Sequence, residues 1–501
     1  MSAALPALAA VGAPRLFAGL DRAGRLDRVA HLTVHGSLPR LRPEELVALA
    51  EDTGLRGRGG AGFPFARKLQ AVITAAADRA VARTAVVVNG SEGEPSCLKD
   101  TALLLYAPHL VLDGALLAAA ALGASEVAVA VHRADVARSV RAAVAERGPD
   151  ARRVRVEQLP DRFVAGEGSA VVAGLGGAAA LPSGRRIRTS ESGLGGLPTL
   201  LSNTETFAQL AVAARLGALP FRETGLPAEP GTVLLTVAGT WVVETPTGVP
   251  LPYVLRLCGL DAGQGVLTGG YHGKWLARQD VARALVSRES LDGLGAAFGA
   301  GAVLPLPPDT CPLGETLRVA RWLAGETAGQ CGPCFLGLPA VADVLAEVER
   351  GGGRASLEAL DRAMGAVVGR GACSHPDGTA RFVASAAAAF PEEFAAHAAG
   401  AGCGRPVLGA LPVPVPDRPA LPALPAAAAP AVARRPRTEA LMVDWTLCQG
   451  HGLCADIVPG VVELGADGYP ARAVMPVPGR QRGQAVRAVR RCPALALRIQ
   501  D

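Results

Sequence analysis

The sequence is poor in aromatic residues, close to neutral for its length, and without an apolar run long enough to span a bilayer. Aromatics make up 4% of the 501 residues, while Ala, Gly, Pro and Arg are abundant. That skew runs through the whole chain and carries no functional reading of its own. A net charge of +5, with the basic residues dispersed, excludes the basic stripe of a nucleic-acid-binding protein. The strongest membrane candidate, residues 110–122, is too short to cross the hydrocarbon core and contains Asp113, so it reads as a buried helix. No positively charged segment precedes the apolar N-terminal stretch, so no secretory signal is expected. The protein is therefore expected in the cytoplasm, where disulfides are rare, either free or held at a membrane by a partner. No repeat of fixed period is present.

Half of the residues are hydrophobic and 19% are charged, which suits buried globular cores. A chain of 501 residues exceeds one compact core, so three or four domains are expected. Residues 42–52 predict a helix, because Pro43 and the acidic Glu44 and Glu45 suit a first turn. A glycine-rich loop follows. Residues 63–77 predict a helix, 84–88 (TAVVV) a buried strand, 109–122 a helix and 126–131 a second strand. Strands alternating with helices imply an α/β sheet over about residues 45–215. Near residue 230 the pattern changes to strand–turn–strand–helix. Long Ala/Leu/Val patterns follow residue 310, and residues 404–438 are a Pro/Ala-rich linker that could reach roughly 100 Å if extended at ~3.1 Å per residue.

The loop GLRGRGGAGFP at 54–64 contains G-x-G-x-x-G at Gly57, Gly59 and Gly62. A dinucleotide fingerprint should follow a strand, and this one follows a helix. Its glycines nonetheless let the backbone approach a ligand, and the next helix offers its N-terminus, with Arg67 and Lys68, to an anion. A plain flexible loop is the alternative. Beyond the next strand stands NGSEGEPSCLKD at 89–100, where α/β sheets place ligands. Asn89 can donate and accept at a ring edge, and Glu92 and Glu94 can accept from sugar hydroxyls. A solvated turn is the alternative reading.

These two stretches, with FVAGEGSA at 163–170 and GLPTLLSNTET at 196–206, resemble in order the flavin- and NADH-binding subunit of bacterial respiratory complex I. The resemblance spans residues 40–400. It implies an FMN-binding α/β domain (46–225, after an N-terminal helical or irregular segment 1–45), a β-grasp ligand-binding-type domain (226–305) and a helical bundle with an Fe–S site (306–403). It implies FMN contacts at Gly57, Arg58, Gly59, Gly60, Gly62, Lys68, Asn89, Glu92, Gly166, Glu167 and Asn203, and nicotinamide contacts at Phe63 and Glu94. The departures fall on the nicotinamide side. Ser91 replaces Asp, Gly168 replaces a second Glu, Ala71 stands for an aromatic, and 185–189 (RRIRT) replaces a basic-Pro-Pro-Phe-Pro element.

Of the ten cysteines, Cys97, Cys258 and Cys311 are scattered and read as buried thiols. Cys331-Gly-Pro-Cys334 with the remote Cys373 follows the logic of Fe–S and zinc sites, a lone redox dithiol being the alternative. In the family the site has a further cysteine, whose place is taken here by Ala328. A three-thiolate cluster results, or one completed by Cys403 or a non-cysteine group. Cys311 is separated from it by a helix ~20 Å long at ~1.5 Å per residue.

The tail, 439–501, carries Cys448, Cys454 and Cys492-Pro493 in a ferredoxin pattern with His451 at the second cysteine's place, and resembles the single-cluster ferredoxins that serve bacterial cytochromes P450. A [3Fe-4S] cluster is expected, or [4Fe-4S] if His451 ligates iron. Asp444, Asp456 and Asp467 suit a docking surface, or are ordinary surface carboxylates.

The whole implies an oxidoreductase that takes electrons from NAD(P)H through FMN and iron–sulfur clusters ([4Fe-4S] and/or [3Fe-4S]) to an acceptor protein or a membrane redox subunit. Two alternatives stand beside it. One is an FMN and Fe–S relay that does not use NADH; the other is a non-catalytic ligand-binding scaffold.

Overall fold

The computed structural model describes residues 5–81, 83–184, 188–414, 439–445, 447–448, 450, 452–465, 468–492 and 496–500. Expectations placed on residues 185–187, 415–438, His451, Asp467 and Pro493 lie outside the described residues.

The chain opens with β1 (Ala7–Ala10), α1 (Arg28–His35) and α2 (Pro43–Asp52). Pro43 occupies the first turn of α2, and Glu45 accepts the Arg42 N–H at 2.8 Å, closing the helix start. Then come α3 (Phe65–Asp78), β2 (Thr84–Gly90), α4 (Lys99–Tyr106), α5 (Pro108–Ala121), β3 (Ala124–Val131), α6 (Ala134–Arg147) and β4 (Val154–Gln158). With α7 (Gly168–Leu175), β5 (Thr199–Asn203) and α8 (Thr204–Leu216) they form a parallel sheet in the order β4-β3-β2-β5. Central β2 is apolar throughout because helices cover both faces of a parallel sheet.

The sequence 108–121 is apolar on every side because α5 is buried almost entirely. Ala107 leaves helical backbone ahead of Pro108, and α4 and α5 meet at a 95° bend. The charge in α5 is answered from neighbouring helices. Asp113 accepts from His31 Nε2 at 2.7 Å and pairs with Arg147 and Arg215. Burial alone would raise its carboxyl, yet these partners hold it well below the usual range. Among the described residues no single helix is long and apolar enough to cross a membrane.

A second module contains α9 (Ala218–Arg222), β6 (Gly225–Leu226), β7 (Glu229–Pro230), β8 (Thr232–Val237), β9 (Trp241–Pro246) and α10 (Leu251–Leu257). It continues through β10 (Gly265–Thr268), β11 (Lys274–Ala277), α11 (Arg278–Val281), α12 (Arg288–Gly293) and β12 (Ala302–Pro305). The mixed β-grasp-type sheet has the order β1-β9-β8-β12-β10-β11, so the N-terminal segment supplies its edge strand. Buried Glu244 fixes that segment by accepting the N–H groups of Arg15, Leu16 and Phe17 at 3.0, 2.9 and 3.0 Å.

The bundle is α13 (Pro312–Gly325), α14 (Leu338–Glu349), α15 (Gly353–Gly365), α16 (His375–Ala389) and α17 (Pro391–Ala398). The chain then folds back over α13. Cys311 N–H donates to Pro406 O at 2.8 Å, and the Glu315 carboxylate accepts from the N–H groups of Gly409 and Ala410 at 2.6 and 3.0 Å. A small α+β unit closes the described chain, with β13 (Ala440–Val443), α18 (Leu453–Ile457), β14 (Val474–Pro476), α19 (Arg482–Arg491) and β15 (Leu497–Gln500). Its antiparallel sheet runs β14-β13-β15.

Candidate functional site

Loops from three parts of the chain meet at the carboxyl ends of β2 and β5. The glycine loop is a tight hairpin, with Gly57 N–H on Phe63 O and Phe65 N–H on Leu55 O, both at 2.8 Å. Gly60 (φ 115°) and Gly62 (φ 60°) adopt backbone conformations that favour glycine. A Cβ at Gly59 would lie 3.3 Å from that of Asn203, and one at Gly62 would strike the Arg288 guanidinium of α12 at 2.6 Å. A Cβ at Gly60 would meet no protein atom within 4 Å, so this part of the loop borders open space. Phe63 is 43% exposed at the same loop.

Arg58 turns inward. Its N–H donates to Thr206 Oγ1 at 3.0 Å, and its buried guanidinium lies 3.8 Å from Glu205. Lys68 Nζ donates to Leu201 O of β5 at 2.8 Å, and burial lowers its pKa. Asn89 donates to Gly166 O at 2.9 Å, joining the second loop to the third. A Cβ at Gly166 would come within 2.9 Å of Ser91 O, so the two loops approach as closely as backbone allows.

The acidic residues of 89–100 are engaged with main chain. Glu92 accepts the N–H groups of Asp100 and Thr101 at 3.0 and 2.9 Å, capping α4. Burial, and then the charge of Asp100, push its carboxyl up to about 7. Glu94 accepts from Ser96 Oγ at 2.7 Å and Tyr271 N–H at 2.8 Å, and burial pushes it up to about 7. Glu167 caps α7 through Ser169 N–H and Ala170 N–H at 2.9 and 3.1 Å. Asn203 caps α8 through Glu205 N–H at 3.0 Å and donates to the Asp100 carboxylate. At the centre lies Lys99, 2.8 Å from Asp100, 3.0 Å from Asn203 Oδ1 and 3.2 Å from Glu205. Its burial acts to lower its pKa, but the neighbouring carboxylates raise it above the lysine range.

The third loop leans on the bundle. Phe163 packs edge-on against His272 and Trp322, with ring centroids at 4.6 and 5.5 Å. Its N–H donates to Glu326 at 2.8 Å, and Arg162 Nη2 reaches Thr327 O at 3.0 Å, next to the Cys-x-x-Cys loop. Cys331 and Cys334 are in side-chain contact there, and Cys373 lies near enough for charge to be felt between them. A hydrogen bond from Cys334 holds the Cys331 thiol down at about 6, and the same contact, then burial, pushes Cys334 up. Burial raises Cys373, which also feels the charges of Glu167 and Cys331. The flavin-type loops and the bundle thiols are thus neighbours. Cys403, the candidate fourth ligand, is elsewhere, beside Cys311 and His397.

In the tail, Cys448, Cys454 and Cys492 all pack against one small apolar core. Burial raises Cys454, with the charges of Cys448 and Cys492 adding to it, and Cys492 Sγ accepts Ala496 N–H at 3.3 Å.

Sequence reasoning did not find Thr206 or Arg288. Thr206 ends the GLPTLLSNTET stretch at 196–206 and has no chemical signal of its own there. Arg288 comes from the second module, where only the fold brings it to the glycine loop.

A glycine cradle at the ends of parallel strands, set beside a three-thiol loop in a bundle, defines a flavin- and iron–sulfur-dependent electron-transfer protein. Residues 50–212 match the Nuo51 FMN-binding domain, 315–397 the NADH-ubiquinone oxidoreductase-F iron-sulfur binding region, and 441–499 the 4Fe-4S single cluster domain. The chain is 30% identical over 388 residues to the F subunit of NADH-quinone oxidoreductase from Mycobacterium tuberculosis (strain ATCC 25618 / H37Rv), covering 72% of this chain and 86% of the relative. It is 28% identical to the NADP-reducing hydrogenase subunit HndC of Solidesulfovibrio fructosivorans, covering 74% and 79%. Among solved structures, an NAD+-reducing [NiFe]-hydrogenase in the H2-reduced state superposes with a TM-score of 0.68 at 27% identity, covering 79% of this chain and 68% of that one. The chain belongs to the family of NADH-quinone oxidoreductase F subunits. It is an NADH-dehydrogenase-like oxidoreductase, with FMN and iron–sulfur clusters as cofactors, that passes electrons from NAD(P)H onward.

Proposed function

We propose that the loops at 57–62, 89–92 and 166–167, with Lys68 and Asn203, hold FMN, that Phe63 and Glu94 meet the nicotinamide, that Cys331, Cys334 and Cys373 hold a cluster beside the flavin, and that Cys448, Cys454 and Cys492 hold another in the tail. FMN, when bound, accepts a hydride from a nicotinamide and releases electrons singly. The carrying observation is the contact of the Arg162–Glu167 segment with both sides, Gly166 O accepting from Asn89 on one, and Phe163 N–H and Arg162 donating to Glu326 and Thr327 O on the other. The residues present suit a flavin. Gly60 borders open space, and Ser91 Oγ is buried without a hydrogen-bond partner among the described residues, a polar atom awaiting one. The three thiols of each cysteine group are soft donors suited to Fe–S.

In this reading the protein's own groups position and insulate. Asn89 fixes the distance between two loops, Glu92 and Asn203 hold helix starts at the cradle, and Phe163 keeps water from the face between the loop and the bundle. No side chain need act as general acid or base in this reading. Clusters held by the bundle and tail thiols would supply a route for single electrons toward an acceptor protein or a membrane redox subunit, and Asp444 of the tail lies near enough to Cys331 for its charge to be felt there. The linker keeps the tail at high effective concentration.

Anaerobic NADH or NADPH added to the purified protein tests this. Bleaching of the flavin band followed by cluster EPR signals is expected. A spectrum unchanged by both nucleotides would favour a relay fed by another protein, a reading that Gly168 supports because a Cβ there meets only Leu201 at 3.7 Å and leaves the family's glutamate site unfilled.

A further inference from the structure

A second group of metal-ligating side chains lies at the opposite end of α13 from the Cys331 loop. Cys311 caps that helix, its Sγ accepting Gly314 N–H at 3.3 Å. His397, in the last turn of α17, brings Nε2 to 3.4 Å from the same sulfur. Cys403, where the chain turns back over the bundle, completes a set whose ligand atoms all lie within 4.8 Å of one another. Cys311 and His397 are buried and Cys403 is half-buried.

The imidazole is oriented from behind. Its Nδ1 faces the main-chain carbonyl of Glu349 at 3.4 Å. A carbonyl only accepts, so Nδ1 carries the proton and Nε2 turns its lone pair toward the sulfurs, as in metal-bound histidines. Two thiols and an imidazole form a soft set that suits zinc and disfavours magnesium or calcium. The group is separate from the bundle cluster, since α13 stands between them, ~20 Å at ~1.5 Å per residue. Its members come from three places in the sequence, Cys403 directly ahead of the strap that Cys311 N–H and Glu315 already hold against α13 through Pro406 O and Gly409 N–H.

We propose that Cys311, His397 and Cys403 bind a zinc ion that clips the returning strap to the bundle, with one tetrahedral position left to solvent. No redox step is involved; the metal closes a long loop and its binding free energy adds to folding.

The full chain, purified anaerobically from zinc-supplied cells, is assayed for zinc, iron, sulfide and flavin. About one zinc per chain is expected, and zinc-edge X-ray absorption should show two sulfur ligands at about 2.3 Å and one nitrogen at about 2.0 Å. Cys403→Ser and His397→Asn should lose zinc while iron, sulfide and flavin stay at wild-type content, the retained flavin showing that the variants fold. Zinc-free wild-type protein would overturn the proposal. So would loss of iron in Cys403→Ser, which would make Cys403 a cluster ligand, or a Cys311–Cys403 disulfide found by mass spectrometry. The wild-type absorption edge decides the matter even where a variant fails to fold.

Discussion

Asn89 donates its Nδ2–H to the carbonyl of Gly166 across 2.9 Å. The bond joins the end of β2 to the loop that starts α7, and Asn89 Oδ1 also accepts Ser91 N–H at 3.2 Å. Asn89→Ala leaves two main-chain groups unpartnered in a half-buried loop, a cost of about 1–3 kcal/mol. Expressed in the cradle, that is about a tenfold or greater loss of FMN affinity, at roughly 1.4 kcal/mol per tenfold. Fluorescence titration of apoprotein with FMN measures it, and wild-type affinity in the variant would remove Asn89 from the site.

The bundle site has three thiols and an alanine where the family has a fourth. Cys373→Ser should lower iron by one cluster and leave the tail's EPR signal in place. Ala328→Cys supplies a thiol three residues before Cys331, beside Thr327, whose hydroxyl bonds the Cys334 sulfur. The expected result is a changed bundle-cluster EPR signal as a fourth thiolate joins the site, read together with iron analysis. An unchanged signal would mean that residue 328 does not face the cluster.

The sequence carried the α/β alternation because parallel strands buried on both faces, such as β2, leave continuous apolar runs. It carried the cradle through its glycines, of which Gly62 and Gly166 have no room for a Cβ and Gly60 takes a φ that favours glycine. It could not show that Arg58 points to Glu205, or that Glu92, Glu167 and Asn203 cap helices, because both outcomes use the same residue types. Cys403 illustrates the limit best. Sequence proximity to the bundle's end made it a candidate cluster ligand, and the direction of the strap placed it with Cys311 and His397. β1 was equally hidden, since its partner β9 lies more than two hundred residues away and its own four residues carry no pattern.

Asp113 balances Arg147 and Arg215 inside an apolar helix layer, with His31 at 2.7 Å. Asp113→Asn keeps the shape and removes the charge, leaving two guanidiniums uncompensated. Loss of one partner from a buried ion pair costs about 3–5 kcal/mol. Urea denaturation should show a midpoint shift of that size with an unchanged slope. A shift below about 1 kcal/mol would mean that solvent screens the network.

Glu94 offers a test with a defined pH sign. Burial pushes its carboxyl up to about 7 in the folded protein, while an exposed glutamate titrates near 4.5. Between these values the folded chain holds a proton that the unfolded chain has released, so the group's contribution to stability falls as pH rises from about 4.5 to about 7. Glu94→Gln keeps an oxygen to accept Tyr271 N–H, turns its NH2 toward Ser96 Oγ, which then accepts, and cannot ionise. Its stability relative to wild type should therefore be greater at pH 8 than at pH 5, by about 1–3 kcal/mol at roughly 1.4 kcal/mol for a tenfold change in the protonation equilibrium. Buried histidines such as His109, held down at about 4, titrate in both proteins and cancel in the difference. Urea midpoints of both proteins at the two pH values decide it, and a difference independent of pH would show that Glu94 is ionised and solvated in the folded state.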